Sequence, residues 1–147
     1  MRIYLAAPLF TTPERDWNVG LADRLMTAGH EVFLPQAHPA PEATGSAIFR
    51  KDLAGLTWAE AVVAIMDGPD PDSGTAWECG YAYATGKPVV LFRSDFRGSG
   101  DVGDIPYNAM LVGSADVHIE LPLATLDESA VAILDALASL APSAAGT

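Results

Sequence analysis

From Ala61 to Met66 the chain runs Ala-Val-Val-Ala-Ile-Met, an unbroken apolar segment followed at once by an acidic turn, Asp67-Gly-Pro-Asp-Pro-Asp72. An apolar run of this length, closed by turn residues, reads as a buried β-strand. Beyond the turn, Trp77, Tyr81 and Ala84 recur at helical spacing, and Gly86 and Pro88 close the pattern. In an open α/β sheet, a strand, a turn and a helix in that order border the edge where ligands bind. The turn carries Asp67, Asp70 and Asp72, leads to Glu78, and holds no Lys or Arg. It therefore suits hydroxyls and cationic centres better than phosphates.

The same alternation runs through the rest of the chain. Arg2–Ala7 reads as a short apolar strand. Thr12 as N-cap, Pro13 at the first helical position and Glu14 open a helix over 13–28, with Trp17, Leu21 and Leu25 on its apolar side. Glu31–Leu34 is a second strand, and the Pro-rich connection from Pro35 to Gly45 is long enough to serve as a lid or substrate loop. Ser46 is expected to cap a helix reaching Thr57, with Ile48, Leu53 and Leu56 inward and Asp52 among its polar positions. A third strand over 60–66, a helix over 74–85 and a fourth strand at Pro88–Phe92 follow. Phe96 to Asn108 reads as a loop, Val117–Leu121 as a fifth strand, and 124–140 as a helix with Leu126, Ala130, Ile133, Leu134 and Leu137 on one stripe. The Ser/Ala/Gly tail over 142–147 is expected to fray. The expectation is a single α/β domain over 1–147, a doubly wound, flavodoxin- or Rossmann-like sheet of about five mostly parallel strands with helices on both faces. The loops carrying Pro8–Phe10, Asp67–Glu78 and Ser94–Asn108 then gather on one edge.

Composition and missing motifs narrow the chemistry. Eight basic against 19 acidic residues give a charge of −11, which repels phosphate backbones and anionic lipid. Neither nucleic acid nor a membrane surface is an expected partner. Cys79 stands alone, so an intrachain disulfide is impossible, and His30, His38 and His118 are too scattered for a zinc motif. Asp67, Asp70 and Asp72 lack the spacing and terminal Glu of a calcium loop, so no metal is expected. The first strand is followed by Ala-Ala-Pro-Leu-Phe, not by a glycine-rich dinucleotide fingerprint, and no phosphate loop or serine-hydrolase elbow occurs. No cofactor is expected. No segment approaches the roughly 20 apolar residues of a membrane span, and the expected location is the cytoplasm.

What remains is a set of carboxylates. Glu78 sits one turn into its helix beside Trp77 and Tyr81, where a charge is unusual. Taken singly, each acid has a structural explanation: Glu78 as an acid favoured by the helix dipole, Asp72 as an N-cap, Asp52 as a surface residue. Their shared position on the ligand edge is what points to chemistry. Carboxylates around one pocket suit reaction at an anomeric carbon. One, ionised, attacks the sugar C1, and another, protonated, serves the leaving group, while the anionic lining favours the positive charge that develops on the ring.

Over roughly residues 2–112 the chain resembles the nucleoside 2-deoxyribosyltransferase family. Asp72-Ser-Gly-Thr-Ala-Trp-Glu78-Cys-Gly-Tyr-Ala is similar to the family's Asp-x-Gly-x-x-x-Glu-x-Gly-x-Ala signature, whose Glu is the nucleophile. Ile3-Tyr4-Leu-Ala-Ala-Pro resembles the opening strand, Lys51-Asp52-Leu the helix segment with the proton-transferring Asp, and Asn108-Ala-Met110 the segment lent to a neighbouring subunit. The resemblance implies that Glu78 attacks C1′, Tyr4 positions its carboxylate and Asp52 shuttles a proton to and from the base. It further implies that Asp72, with Gly74 in the same motif, binds the sugar, its carboxylate taking the 5′-hydroxyl. Asn108 and Met110 would complete a neighbour's site, so a homo-oligomer is expected, and Phe10 would pack on the nucleobase. Relatives that hydrolyse nucleoside 5′-monophosphates generally place Ser where this chain has Asp72, and a carboxylate there repels a phosphate dianion. The implied substrates are free nucleosides and nucleobases, with an inclination to purines. A nucleoside or nucleoside 5′-monophosphate N-glycosidase on the same scaffold and a non-catalytic nucleotide-binding module remain open alternatives.

Overall fold

The computed structural model describes residues 1–98, 100–103 and 105–140, so the tail over 142–147 lies outside the described residues. Five strands, β1 (Arg2–Ala6), β2 (Glu31–Phe33), β3 (Ala61–Ile65), β4 (Val89–Arg93) and β5 (Val117–Glu120), form one sheet in the order β2-β1-β3-β4-β5. Every pair is parallel. Parallel neighbours need long crossovers, and the helices supply them. The crossover helices are α1 (Thr12–Thr27), α2 (Gly45–Trp58), α3 (Ser73–Ala84) and α4 (Ala109–Ser114), and α5 (Leu126–Leu140) follows the last strand.

Side-chain alternation divides the core in two. Ile3, Leu5, Val63, Ile65 and Phe92 point to the face covered by Leu21 and Leu25 of α1 and Ile133 of α5. Tyr4, Ala6, Val62, Ala64 and Leu91 point to the face covered by Leu56 of α2 and by Cys79 and Ala82 of α3. All five residues of β3 and of β4 are buried, because helices cover both faces. Each large aliphatic side chain removed from water there contributes about 1.5–3 kcal/mol. The chain leaves β1 for β2 on one side and returns to β3 on the other. The connections diverge at this reversal, beyond the strand ends where open α/β sheets form their ligand crevice.

Several local readings are corrected. The cap of α1 is Thr11, not Thr12: its hydroxyl accepts from the Glu14 amide, and Glu14 closes a capping box back to the Thr11 amide. Thr44, not Ser46, caps α2 by accepting from the Ala47 amide. Ile48 is exposed rather than inward. In α3 the sheet-facing stripe is Thr75, Cys79 and Ala82, while Trp77 and Ala84 are exposed and Tyr81 is half-buried. Small residues let that helix sit close to the strands, and the rings are displaced to its flank. Pro35–Ala37 forms a 3-10 turn inside the expected 35–45 loop, and α4, whose six residues are too few to show a period, was not anticipated.

One close approach shapes the site. A Cβ on Gly55 of α2 would lie 2.5 Å from the Phe33 ring, so only glycine lets α2 settle over the end of β2. The Phe33 ring stacks on Tyr4 at 5.4 Å, and His38 stacks on Phe33 at 4.4 Å. This column fixes the Tyr4 ring beneath α2 and α3.

Candidate functional site

Tyr4 is fully buried, on the β1 face that α2 and α3 cover. Its hydroxyl donates to Glu78 Oε1 at 2.5 Å, joining the strand on one side of the crevice to the helix that follows the strand on the other. Glu78 reaches that point because α3 starts at a defined residue. Asp72 caps it, with Oδ2 accepting from the Thr75 amide at 2.9 Å and the Thr75 hydroxyl at 3.2 Å. Among the described residues, Asp72 Oδ1 takes no hydrogen bond. A Cβ on Gly74 would stand 3.0 Å from Asp72 Oδ2, so the glycine gives the carboxylate room.

Asp52 enters from α2. Lys51 Nζ lies 2.9 Å from Asp52 Oδ1 and donates to the Pro35 carbonyl at 2.9 Å. The Lys51–Asp52 contact is an ion pair without hydrogen-bond alignment, and the buried Oδ1 has no hydrogen-bond donor. Phe49 of α2 meets Trp77 of α3 edge-on at 5.7 Å, and Trp77 stacks on Tyr81 at 5.7 Å. An aromatic wall thus spans the two helices that carry Asp52 and Glu78.

These surroundings raise the Glu78 carboxyl from an ordinary 4.5 to about 7. Burial is the largest cause, the charges of Asp52 and Asp72 add to it, and the Tyr4 hydrogen bond and the Lys51 ammonium oppose it. Burial and the neighbouring Glu78 push the Tyr4 phenol far above its usual range, so it remains a donor. The same two causes push the Cys79 thiol up to about 12, which leaves it inert as a nucleophile at neutral pH.

The structure brings Tyr4, Asp52, Asp72 and Glu78 together and holds other candidates apart. Asn108 caps α4, accepting from the Met110 amide at 2.9 Å, and both residues line a cavity of about 580 Å³ with Ala76, Gly80 and Tyr83 of α3. At roughly 100° per residue, positions 76, 80 and 83 lie on the side of α3 opposite Glu78. That cavity is therefore a different place from the carboxylate cluster of the same chain. Phe10, 73% exposed in the loop after β1, donates its amide to Glu14. Asp67 is structural: its carboxylate accepts from the Ser94 amide and hydroxyl, both at 2.6 Å, and from the Asp95 amide at 2.8 Å, tying the loop after β3 to the loop after β4. Phe49 and Lys51 were missed as site residues. The only sequence signal was the i, i+3 spacing that puts Phe49 beside Asp52 on α2.

A family model described as nucleoside 2-deoxyribosyltransferase matches residues 3–110. The fold is similar to that of a conserved protein from Enterococcus faecalis V583, at 25% identity and a TM-score of 0.73, covering 92% of this chain and 98% of that one. A 2-deoxyribosyltransferase from the psychrotolerant bacterium Bacillus psychrosaccharolyticus is 33% identical, with a TM-score of 0.65 over 80% of this chain and 85% of that one. A 2-desoxiribosyltransferase from Leishmania mexicana, 22% identical, shares the fold with a TM-score of 0.67 over 90% and 97%. No curated protein sequence matches the chain significantly. Among the described residues, no helix is long and apolar enough to cross a membrane.

The raised Glu78 carboxyl has a consequence for stability. Between pH 4.5 and about 7 the unfolded chain has released the Glu78 proton while the folded protein retains it. Folding stability therefore falls as pH rises through that window. Glu78→Gln, which removes this titration, should be more stable than the parent by about 2–3 kcal/mol at pH 8 and by little at pH 4. Urea melts of both proteins at the two pH values measure the gap. An equal gap at both would show that Glu78 is not held protonated.

Proposed function

We propose that this chain, which belongs to the nucleoside 2-deoxyribosyltransferase family, exchanges the base of a 2′-deoxynucleoside in two steps with retention at C1′. The observation that carries this reading is the Tyr4 hydroxyl held 2.5 Å from Glu78 Oε1 within a group of carboxylates. Ionised Glu78 attacks C1′, the bond to the base breaks, and the base leaves with a proton routed through Asp52. A second base then attacks C1′ from the opposite side, frees Glu78, and returns a proton to Asp52. Two inversions give net retention. The carboxylates of Asp52 and Asp72 favour the positive charge that spreads over the ring in each transition state. The Tyr4 hydrogen bond fixes one Glu78 oxygen and leaves Oε2 to react.

Asp72 Oδ1, with no hydrogen bond among the described residues, accepts the sugar 5′-hydroxyl in this reading. A phosphate there would meet the carboxylate, so the substrates are nucleosides, not nucleotides. Phe10 covers the base. Asn108 and Met110 lie behind α3 with respect to their own Glu78, so they serve a second subunit's site rather than their own. Water resolving the glycosyl-enzyme in place of a base would make the protein a hydrolase.

Incubation with 2′-deoxyinosine, with and without adenine, separates these outcomes. We expect deoxyadenosine only when adenine is present, a fall of at least about 10³-fold in Glu78→Ala, and no reaction of the corresponding 5′-monophosphate. Hypoxanthine released equally with and without adenine would make the enzyme a hydrolase, and no turnover at all would contradict both readings.

The shared site has its own test. Glu78→Ala and Asn108→Ala, each inactive alone, are mixed after mild dissociation and reassembled. If Asn108 serves the neighbour, a two-fold dimer regains activity at about one quarter of its sites, because half of the assemblies are mixed and each holds one intact site. No recovery would show that Asn108 acts within its own subunit rather than in the neighbour's site.

A further inference from the structure

Of the eight cationic side chains in the sequence, Lys51 is the one whose ammonium lies among the carboxylates of the site. Its placement is unusual for its sequence position. Successive residues on a helix point about 100° apart, so a lysine preceding an aspartate ordinarily extends away from it into water. Here Lys51 folds back, its side chain only 17% exposed, with Nζ 2.9 Å from Asp52 Oδ1 and 2.9 Å from the Pro35 carbonyl. Ordering and desolvating a lysine is costly, so a specific attraction must hold it there. The Asp52 carboxylate and the Pro35 carbonyl supply it.

Resting on the reading given above, we infer that Lys51 is a positioning residue of this site: its ammonium offsets the field of Asp52 and Asp72 at Glu78 and ties Asp52 to the segment that enters the 35–45 connection. The groups facing Glu78 bear this out. β1 contributes Tyr4, α2 contributes Lys51 and Asp52, and the cap of α3 contributes Asp72. Neither β3 nor α4 carries a charged residue. The one charge on β4, Arg93, is committed to the carbonyls of Met66, Gly68 and Arg97. Arg50, the other cation of α2, is exposed, and among the described residues Lys51 is the cation that acts on Glu78.

Without Lys51, Glu78 keeps Asp52 and Asp72 as neighbours and loses the opposing charge. Its proton is then held to higher pH, and the ionised nucleophile becomes scarcer on the acid side. Carboxyl ¹³C NMR of the ligand-free protein reads the Glu78 titration directly in the parent, Lys51→Met and Lys51→Arg. The midpoint should rise by about 0.5–1 pH unit in Lys51→Met and return toward the parent value in Lys51→Arg. For base exchange, the loss in kcat/KM for Lys51→Met should be about three- to tenfold greater at pH 6 than at pH 9, because the acid limb moves up by the same amount.

Lys51→Gln carries the same expectation should the methionine variant not fold. An unmoved Glu78 midpoint in a folded variant overturns the role assigned to Lys51. If the parent exchanges no bases, the functional reading fails while the titration still decides the role of Lys51. If exchange occurs and neither the midpoint nor the pH profile moves, Lys51 alone is wrongly assigned.

Discussion

The hydrogen bond from Tyr4 to Glu78 is the contact on which the rest of the site depends. A carboxylate removed from water loses hydration that an apolar neighbour cannot replace. The phenol restores part of it through a short, charge-assisted bond of 2.5 Å. The bond also joins the two sides of the sheet's reversal, since Tyr4 belongs to β1 and Glu78 to the helix after β3. The parts that hold Tyr4 still therefore hold the Glu78 carboxyl still: the Phe33–His38 stack and the bare Gly55 that lets α2 close over it.

Around this bond the fold assembles more negative charge than it offsets. Asp52 and Asp72 both act on Glu78, one from α2 and one from the cap of α3, against the single nearby ammonium of Lys51. Such an arrangement works against stability and in favour of chemistry at a centre that becomes positive. It also sets Glu78 near the pH at which its ionised and protonated forms coexist. The site is thus tuned by charges on α2 and at the start of α3 together with the Tyr4 phenol on β1, and no short stretch of sequence contains it.

The apolar runs at 61–66 and 88–92 made the central strands legible, because a strand buried on both faces has no polar residue to confuse its pattern. The Asp72 cap was legible because the acid stands directly before a helical period. The first caps were misplaced by a residue or two, since Thr11 and Thr12, or Thr44 and Ser46, are equally good capping chemistry and only geometry chooses between them. The inward face of α3 was misread for a clearer reason: hydrophobicity favours Trp77 and Tyr81, but close approach to the sheet favours Cys79 and Ala82. That misreading concealed the aromatic wall. Glu78 and Asp52 stood out as carboxylates on the ligand edge, their roles and that of Tyr4 came through a family resemblance, and their meeting in space is a property of the fold. Lys51 was legible only as part of the Lys51-Asp52-Leu segment, because its turn back onto Asp52 and the Pro35 carbonyl depends on the fold.

In the proposed exchange Glu78 is a nucleophile that holds the sugar covalently. Acid-quenching the enzyme during turnover of a 2′-deoxynucleoside, followed by mass spectrometry of the intact chain and its peptides, examines that bond itself. The expected result is a gain of one deoxyribosyl group, mapped to the peptide containing Glu78 and removed on adding a free base. A turning-over enzyme with no adduct, or with the adduct on another residue, would contradict it.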